Sequence, residues 1–145
     1  MSSNTELIRN GFVTSLAPLL VSNGGPLGQI TAYVMSNPSP PCAYISAGPI
    51  VYDRAMHRGL DEAEFTVTVI FPFNVDISQQ ATLDELRDGD GALSVKALVE
   101  ADRTLGGVVQ NLRVTQSTEP RLYTRQSGPL VFGCEWQVAV YPITD

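Results

Sequence analysis

The sequence predicts an α+β fold in which a mixed, mainly antiparallel sheet packs against two to three helices. Three observations carry this prediction. An amphipathic helical pattern opens the chain, several segments then alternate apolar and polar residues as strands do, and shorter helical patterns lie between those segments. With 145 residues, 43% of them hydrophobic and 17% charged, the chain has the size and composition of one domain covering residues 1–145.

The first predicted element is an amphipathic helix that begins at a capping box formed by Ser3 and Glu6. We expect this helix to end near Ser22, because the sequence Asn-Gly-Gly-Pro at 23–26 supplies a left-handed stop and a residue that cannot continue a helix. Apolar residues recur at helical spacing along one face: Leu7, Ile8, Phe12, Leu16, Leu19 and Leu20.

Three strands are predicted in the first half. Residues 29–36 are apolar on both parities, as in a strand buried on both faces, and a proline-rich turn at 37–41 leads to a returning strand at 42–46. Residues 63–73 alternate most clearly, and Pro72 near their end indicates a sheet edge or the point where pairing stops. Residues 47–61 show no sustained period, so we expect a long exposed loop there, a candidate for partner contact.

The second half predicts two helices and two strands. The helices cover 76–87 and 93–101, with Lys96 and Glu100 as an outward i,i+4 pair. A strand follows at 108–115, then a polar segment at 116–127 and a last strand at 130–141. We expect strands that are neighbours in sequence to pair antiparallel. The inward residues of these two strands are Val108, Leu112 and Val114, then Phe132, Cys134, Trp136, Val138 and Val140.

Charge and composition disfavour several classes of protein. The net charge is −6, so no basic field favours specific binding to duplex DNA or to an anionic membrane, and any contact with DNA is expected to be transient. No stretch approaches the roughly 20 apolar residues of a membrane span, and the N-terminus lacks a signal-peptide pattern. Cys42 and Cys134 are expected to be buried thiols rather than a disulfide or a metal site.

No motif predicts a catalytic, cofactor or metal site. His57 is the only histidine, and no Gly-x-Ser-x-Gly elbow accompanies it. Residues 24–28 are glycine-rich but lack the Lys-Ser/Thr ending of a phosphate loop. Asp88 and Asp90 match the start of a calcium loop, yet Ala92 occupies the next ligand position, which favours a solvated turn. We therefore expect a protein that is not an enzyme and that acts through its surface.

Four sequence segments between residues 47 and 141 carry a resemblance to a known protein family. They are GPIVYD at 48–53, RGLD at 58–61 leading into the strand that ends at Phe73, SVKALVEADRTLGGVV at 94–109, and GCEWQVAVY at 133–141. Together they resemble the tail terminator family of siphophages, particularly the versions found in phages of actinobacteria. Arg103 departs from that pattern, since proline is expected there, and Cys42 and Cys134 are not family hallmarks.

Members of that family form rings, commonly sixfold, that cap the tail tube when its length is complete and then dock to the head connector. The resemblance implies a ring-forming structural protein of the virion neck, assembled in the host cytoplasm and without a membrane partner or cofactor. Its implied partners are further copies of itself, as a hexamer, the major tail tube protein and the head-tail connector or stopper protein. DNA would pass through the lumen transiently and without specificity.

A cyclic ring needs a heterologous interface, which sheet edges and long loops can supply. We expect loop 47–61 and segment 116–127 to contact the tube or connector, because they carry basic side chains in an acidic protein. These are Arg54, His57, Arg58, Arg121 and Arg125. The alternative is that both segments are solvated loops that order only on assembly. We also expect acidic side chains to face the lumen, where like charge lets DNA slide.

Two other functions stay open at this point. A head-to-tail connector or stopper protein also forms a ring, but it occupies a different station in the virion. A small-ligand- or peptide-binding α+β domain would instead be a stable monomer with an apolar pocket.

Overall fold

The computed structural model describes residues 4–33, 41–51, 62–72, 77–91, 93–107, 109–123 and 131–142. Its helices are α1 (Asn4–Leu16), α2 (Ile77–Arg87) and α3 (Val95–Glu100). Its strands are β1 (Gln29–Thr31), β2 (Cys42–Val51), β3 (Glu62–Pro72), β4 (Val109–Ser117), β5 (Arg121–Tyr123) and β6 (Val131–Pro142). They form one mixed, mostly antiparallel sheet in the order β1-β2-β3-β6-β4, with β5 also paired to β6. The predicted α+β class is confirmed.

Helix α1 is shorter than the sequence predicts. It ends at Leu16, and two short 3-10 turns, Ala17–Leu19 and Val21–Asn23, carry the chain onward. Pro18 explains the early end, because proline has no N–H to donate and its ring clashes with the carbonyl one turn earlier. The predicted left-handed stop is present at Gly24, whose φ is 85°. Ser3 of the predicted capping box lies outside the described residues.

The first strand pair is parallel, so the expected antiparallel return is wrong. Gln29 lies opposite Cys42, and Thr31 opposite Tyr44. Strand β1 has three residues and spans about 10 Å, whereas the ten residues at 32–41 can reach more than 30 Å when extended. The connection is therefore long enough to carry the chain back to the same end of the sheet. Of the predicted strand 29–36, only Gln29–Thr31 is a strand among the described residues.

Strand β2 extends into the predicted loop 47–61, whose first five residues belong to the strand. The register against β3 shifts between Ala47 and Ile50. Pro49 accounts for the shift, because it cannot donate to a ladder and a bulge lets the strand continue past it. The sequence pattern failed here because the bulge breaks the alternation of apolar and polar residues. Residues 52–61 lie outside the described part of the chain.

Strand β3 is the central strand, paired antiparallel with β2 on one side and β6 on the other. Pro72 is still paired with Val131 of β6 and β3 is not an edge strand, so the edge alternative for this proline is wrong; whether pairing stops there depends on residues outside the described part of the chain. One face of β3 points into the core through Ala63, Phe65, Val67, Val69 and Phe71. Phe73, the last residue of the predicted strand, lies outside the described residues.

The two later helices follow the sequence prediction within a few residues. Helix α2 ends at Arg87, as predicted, and Asp76 lies outside the described residues. Helix α3 is shorter than predicted because Ser94 is its N-cap, with its hydroxyl accepting a hydrogen bond from the N–H of Ala97 at 3.1 Å. Helix α3 packs against α1, α2 and β4.

Strands β4 and β5 lie along the same side of β6. The predicted strand 108–115 continues to Ser117, and the predicted polar segment 116–127 contains Arg121–Tyr123 as a further short strand. Between them the backbone N–H of Thr118 donates to the carbonyl of Glu135 at 2.8 Å. Strands β4 and β5 therefore form one interrupted edge of the sheet. The pairing of β4 with β6 shifts register between Val109 and Asn111 and between Val114 and Gln116.

The core lies between the helices and one face of the sheet. Phe12 of α1 meets Phe65 of β3 with ring centroids 5.6 Å apart and the planes tilted by 58°, a favourable geometry for an aromatic pair. The predicted inward face of β6 is confirmed, with Phe132 partly buried at its margin. Buried residues on that face are Cys134, Trp136, Val138 and Val140.

Candidate functional site

The structure describes one of the five predicted contact residues. Arg121 is exposed in β5, where it pairs with Gly133 of β6. Arg54, His57, Arg58 and Arg125 lie outside the described residues. Arg121 thus places the described part of segment 116–127 at the β4–β5 edge of the sheet, and the surroundings of that edge are the candidate site.

Glu100 of α3 is the centre of a charged cluster at this edge. Its Oε2 accepts a hydrogen bond from the backbone N–H of Val114 in β4 at 3.0 Å. Its Oε1 lies 2.6 Å from the Lys96 ammonium and 3.7 Å from the Arg103 guanidinium. The predicted Lys96–Glu100 pair is confirmed, but Glu100 is not simply outward, since only 9% of its side chain is exposed. The helix thereby occupies an N–H group of the edge strand.

The contacts of Glu100 determine its ionisation. Burial raises the pKa of its carboxyl, but the hydrogen bond from Lys96, the Val114 N–H and the charges of Lys96 and Arg103 outweigh burial. The net pKa lies below the ordinary value. Glu100 is therefore held as a carboxylate, the form that accepts the hydrogen bond most strongly.

At the opposite edge of the sheet, beyond the end of β1, Arg9 of α1 binds backbone carbonyls. Its Nη1 donates to the carbonyl of Ala32 at 2.8 Å and to the carbonyl of Ile45 in β2 at 2.9 Å. The guanidinium carbon also lies 4.4 Å from the centre of the Tyr33 ring, within the range of a cation–π contact. A helix side chain therefore satisfies backbone groups at each edge of the sheet.

A small cleft opens where α2 and α3 approach the bulged part of β4. Its volume is about 100 Å³. Arg87, the last residue of α2, donates from Nε to the hydroxyl of Ser117 at 3.3 Å. The lining residues are Arg87, Lys96, Val114, Thr115, Gln116, Ser117 and Trp136. This site combines two cations with hydroxyl and amide groups.

Cys134 lies beside this cleft in β6. Burial raises the pKa of its thiol to about 12, although the Arg87 charge and a hydrogen bond with Ser117 act in the opposite direction. Cys42 and Cys134 are both buried and neither forms a disulfide, so the prediction of two buried thiols is confirmed. A thiol with so high a pKa stays protonated at neutral pH and is a poor nucleophile or metal ligand.

A second cleft of about 280 Å³ lies beside α2. Gln80, Leu83 and Asp84 of the helix form one wall, and Pro120 and Phe132 form the other. Both clefts therefore lie where α2 meets the β4–β5 edge and the end of β6.

Polar side chains form a row on the sheet face opposite the helices. Tyr44, Thr68 and Glu135 are neighbours across β2, β3 and β6. Burial raises the pKa of the Tyr44 hydroxyl, a hydrogen bond with Thr68 opposes this, and the charge of Glu135 adds to it. Thr68 is only 4% exposed. The row is therefore a polar patch that is largely withdrawn from solvent at its centre.

The described residues contain neither a metal-binding cluster nor a membrane-spanning helix. No group of three or more histidine, cysteine, aspartate or glutamate side chains is placed there to hold a metal ion. At the predicted acidic turn, the backbone carbonyl of Asp88 accepts a hydrogen bond from the Ser94 hydroxyl, and the side chains of Asp88 and Asp90 are exposed. None of the helices in the described ranges has the length and apolar character needed to cross a bilayer.

Sequence reasoning did not single out Arg9 or Arg87. Arg9 directly follows Ile8 and precedes Phe12 by three positions, both of them buried. A cation at the margin of an apolar helix face is a usable signal that its head group reaches a nearby backbone. Arg87 carried the weaker signal of a basic residue in the last turn of a helix.

A scan against models of known protein families finds no match to this chain, and a search of curated proteins finds no significant similarity.

Proposed function

We propose that this chain is a structural, non-catalytic protein that assembles into a ring, caps a phage tail tube and joins the tail to the head connector. The observation that carries the proposal is the resemblance of several segments between residues 47 and 141, in order, to tail terminator proteins. The most distinctive of them, 94–109, contains the N-cap Ser94, helix α3 and the start of β4. Helix α3 in this segment contacts the edge strand β4 through Glu100 and Val114. The outer surface formed there by α3 and β4 is a candidate for contact with a neighbouring subunit of the ring.

The proposed partners follow from the same role. They are other copies of the chain in a hexamer, the major tail tube protein and the connector or stopper protein, all in the virion neck. The net charge of −6 supports a lumen that repels DNA and lets it pass. Exposed carboxylates available for such a lumen are Glu64, Asp84, Glu85, Asp88, Asp90, Asp102 and Glu119.

The two clefts that the structure describes are both smaller than the usual small-ligand pocket. The two clefts have volumes of about 100 and 280 Å³, whereas pockets for drug-sized ligands usually have about 300–1,000 Å³. Charged or polar side chains line both clefts, Arg87 and Lys96 the first and Gln80 and Asp84 the second.

Mass-resolved chromatography of the purified chain, with and without pre-formed tail tubes from the same phage, tests the proposal. We expect rings that attach to one end of each tube. Binding to portal or adaptor rings with indifference to tubes would move the protein to the connector, and indifference to both would favour a monomeric binding domain.

The proposed contact loop is tested separately by the double variant Arg54→Glu and Arg58→Glu. If the segment 52–61 contacts the tube or connector, reversing both charges weakens attachment while the rings still form. Arg113→Glu is the matched control, because Arg113 is an exposed cation on β4. Undiminished tube capping by the double variant would dispose of the loop contact and leave ring formation standing.

A further inference from the structure

The cleft between Arg87, Lys96 and the bulge of β4 contains an unbalanced positive charge. The ammonium of Lys96 is 2.6 Å from a carboxylate oxygen of Glu100. Within the described ranges, no carboxylate forms an ion pair with Arg87, whose Nε donates a hydrogen bond to the Ser117 hydroxyl. The cleft therefore has a net charge near +1 in a chain whose overall charge is −6.

The guanidinium of Arg87 is also oriented. Its Nε is fixed by the Ser117 hydroxyl at 3.3 Å, and no described residue accepts a hydrogen bond from its two terminal nitrogens. Arginine's planar fork matches a carboxylate with two parallel hydrogen bonds. Gln116 lines the same cleft and adds an amide that can donate, whereas the Thr115 hydroxyl donates to the carbonyl of Gln137 at 3.1 Å. The charge and the orientation of Arg87 suit a carboxylate.

The volume of the cleft limits the size of the group that can enter it. About 100 Å³ is a small volume beside the roughly 300–1,000 Å³ of usual ligand pockets. The head of one acidic side chain fits this space, whereas a whole cofactor does not. Because the space lies at the surface beside an edge strand, the group can come from another protein chain.

We infer that this cleft receives the carboxylate of an aspartate or glutamate from a second copy of the chain. The inference rests on the proposed ring, whose heterologous contacts bring two different surfaces of the subunit together. A second copy offers 15 acidic residues, and its carboxylate balances the charge of Arg87. Acidic subunits repel one another, so an oriented cation at the junction also offsets part of that repulsion.

The simpler role of Arg87 is to interact with the C-terminal end of α2, where the helix dipole favours a cation. That role predicts a change in the stability of the monomer and none in association. The experiment must therefore measure both quantities.

The test is a dilution series in the analytical ultracentrifuge on the full chain and its variants Arg87→Gln, Arg87→Lys and Arg113→Gln. Folding of each variant is checked by the fluorescence of Trp136, which is only 1% exposed. We expect Arg87→Gln to weaken association by about 30-fold or more, the usual effect of removing one partner of a buried charge pair. Arg87→Lys keeps the charge but not the planar fork, so we expect its association constant to lie between those of the wild type and Arg87→Gln. For the control Arg113→Gln we expect an association constant within about threefold of the wild type.

The possible results separate the inference from the proposed function. Rings that form equally well in the wild type and in Arg87→Gln overturn the carboxylate site and leave the ring function intact. A wild-type chain that stays monomeric at every concentration, with or without tubes, overturns both. If Arg87→Gln is not folded, Arg87→Lys decides, because association equal to wild type in that variant rules out recognition by the arginine fork.

Discussion

Replacing Glu100 by alanine should destabilise the protein far more than replacing it by glutamine. Alanine removes the acceptor of the Val114 N–H, which is 3.0 Å from Oε2. Val114 is only 7% exposed, and a buried donor left without a partner costs about 1–3 kcal/mol. Glutamine retains a side-chain oxygen for that N–H and loses only the charge.

The ion pairs at Glu100 contribute less than the hydrogen bond. The side chains of Lys96 and Arg103 are 45% and 55% exposed, and pairs of this kind are worth about 0.3–0.5 kcal/mol each at most. We therefore expect a loss of about 1.6–4 kcal/mol for Glu100→Ala, which loses the acceptor and both ion pairs, and about 0.6–1 kcal/mol for Glu100→Gln, which loses only the two ion pairs.

Urea denaturation followed by tryptophan fluorescence measures this difference. The chain has one tryptophan, Trp136, and its burial makes its emission sensitive to unfolding. Glu85→Ala is the matched control, an exposed glutamate in α2 for which we expect a change within about 0.5 kcal/mol. Equal midpoints for Glu100→Ala and Glu100→Gln would refute the role assigned to the Val114 hydrogen bond.

The same carboxylate predicts a dependence on pH. Because the folded pKa of Glu100 lies below its ordinary value of 4.5, its ionised form stabilises the folded state at pH values above about 4.5. This contribution is lost as the pH falls through the folded pKa. We expect the stability of Glu100→Gln to fall less steeply than that of the wild type below that pH.

Three further predictions concern the core, the other sheet edge and the thiols. Gly133→Ala places a Cβ 2.0 Å from the carbonyl oxygen of Val69, and we expect a loss of about 2 kcal/mol or more in urea, against little change for Gly89→Ala, whose Cβ meets nothing within 4 Å. Arg9→Ala leaves two edge carbonyls without their donor, and a loss of about 1–2 kcal/mol is expected; unchanged stability would contradict the edge contact. The Cys134 thiol has a pKa of about 12 rather than 9.0, so we expect no reaction with Ellman's reagent at pH 8 until urea unfolds the chain. We also expect the free energy of unfolding to fall as the pH rises from about 9 toward 12, because only the thiol of the unfolded chain ionises in that range. Rapid reaction of the folded protein would contradict its burial.

The parts of the fold that follow local periodicity could be predicted from the sequence. Strands β3 and β6 and the end of α2 at Arg87 were found because alternation or helical spacing continues over most of their length. The errors occur where one residue interrupts a pattern. Pro18 ends α1 inside an apparently continuous apolar face, and Pro49 hides the second half of β2 behind a bulge.

The contacts that build the candidate site could not be predicted in the same way. Arg9 donates to carbonyls 23 and 36 residues away in the sequence, and Glu100 accepts from an N–H 14 residues away. Spacing along a helix predicted the Lys96–Glu100 pair because both residues lie on one element. It carries no information on which strand a helix will meet, since packing of the whole core decides that.

Tail-tube polymerisation in the presence of the purified chain tests whether this protein is a terminator. Tube protein from the same phage is allowed to assemble, the chain is added during growth, and tube lengths and ends are examined by electron microscopy. We predict that growth stops and that one ring sits at a single end of each tube. Tubes that continue to lengthen without rings at their ends would contradict the proposed function.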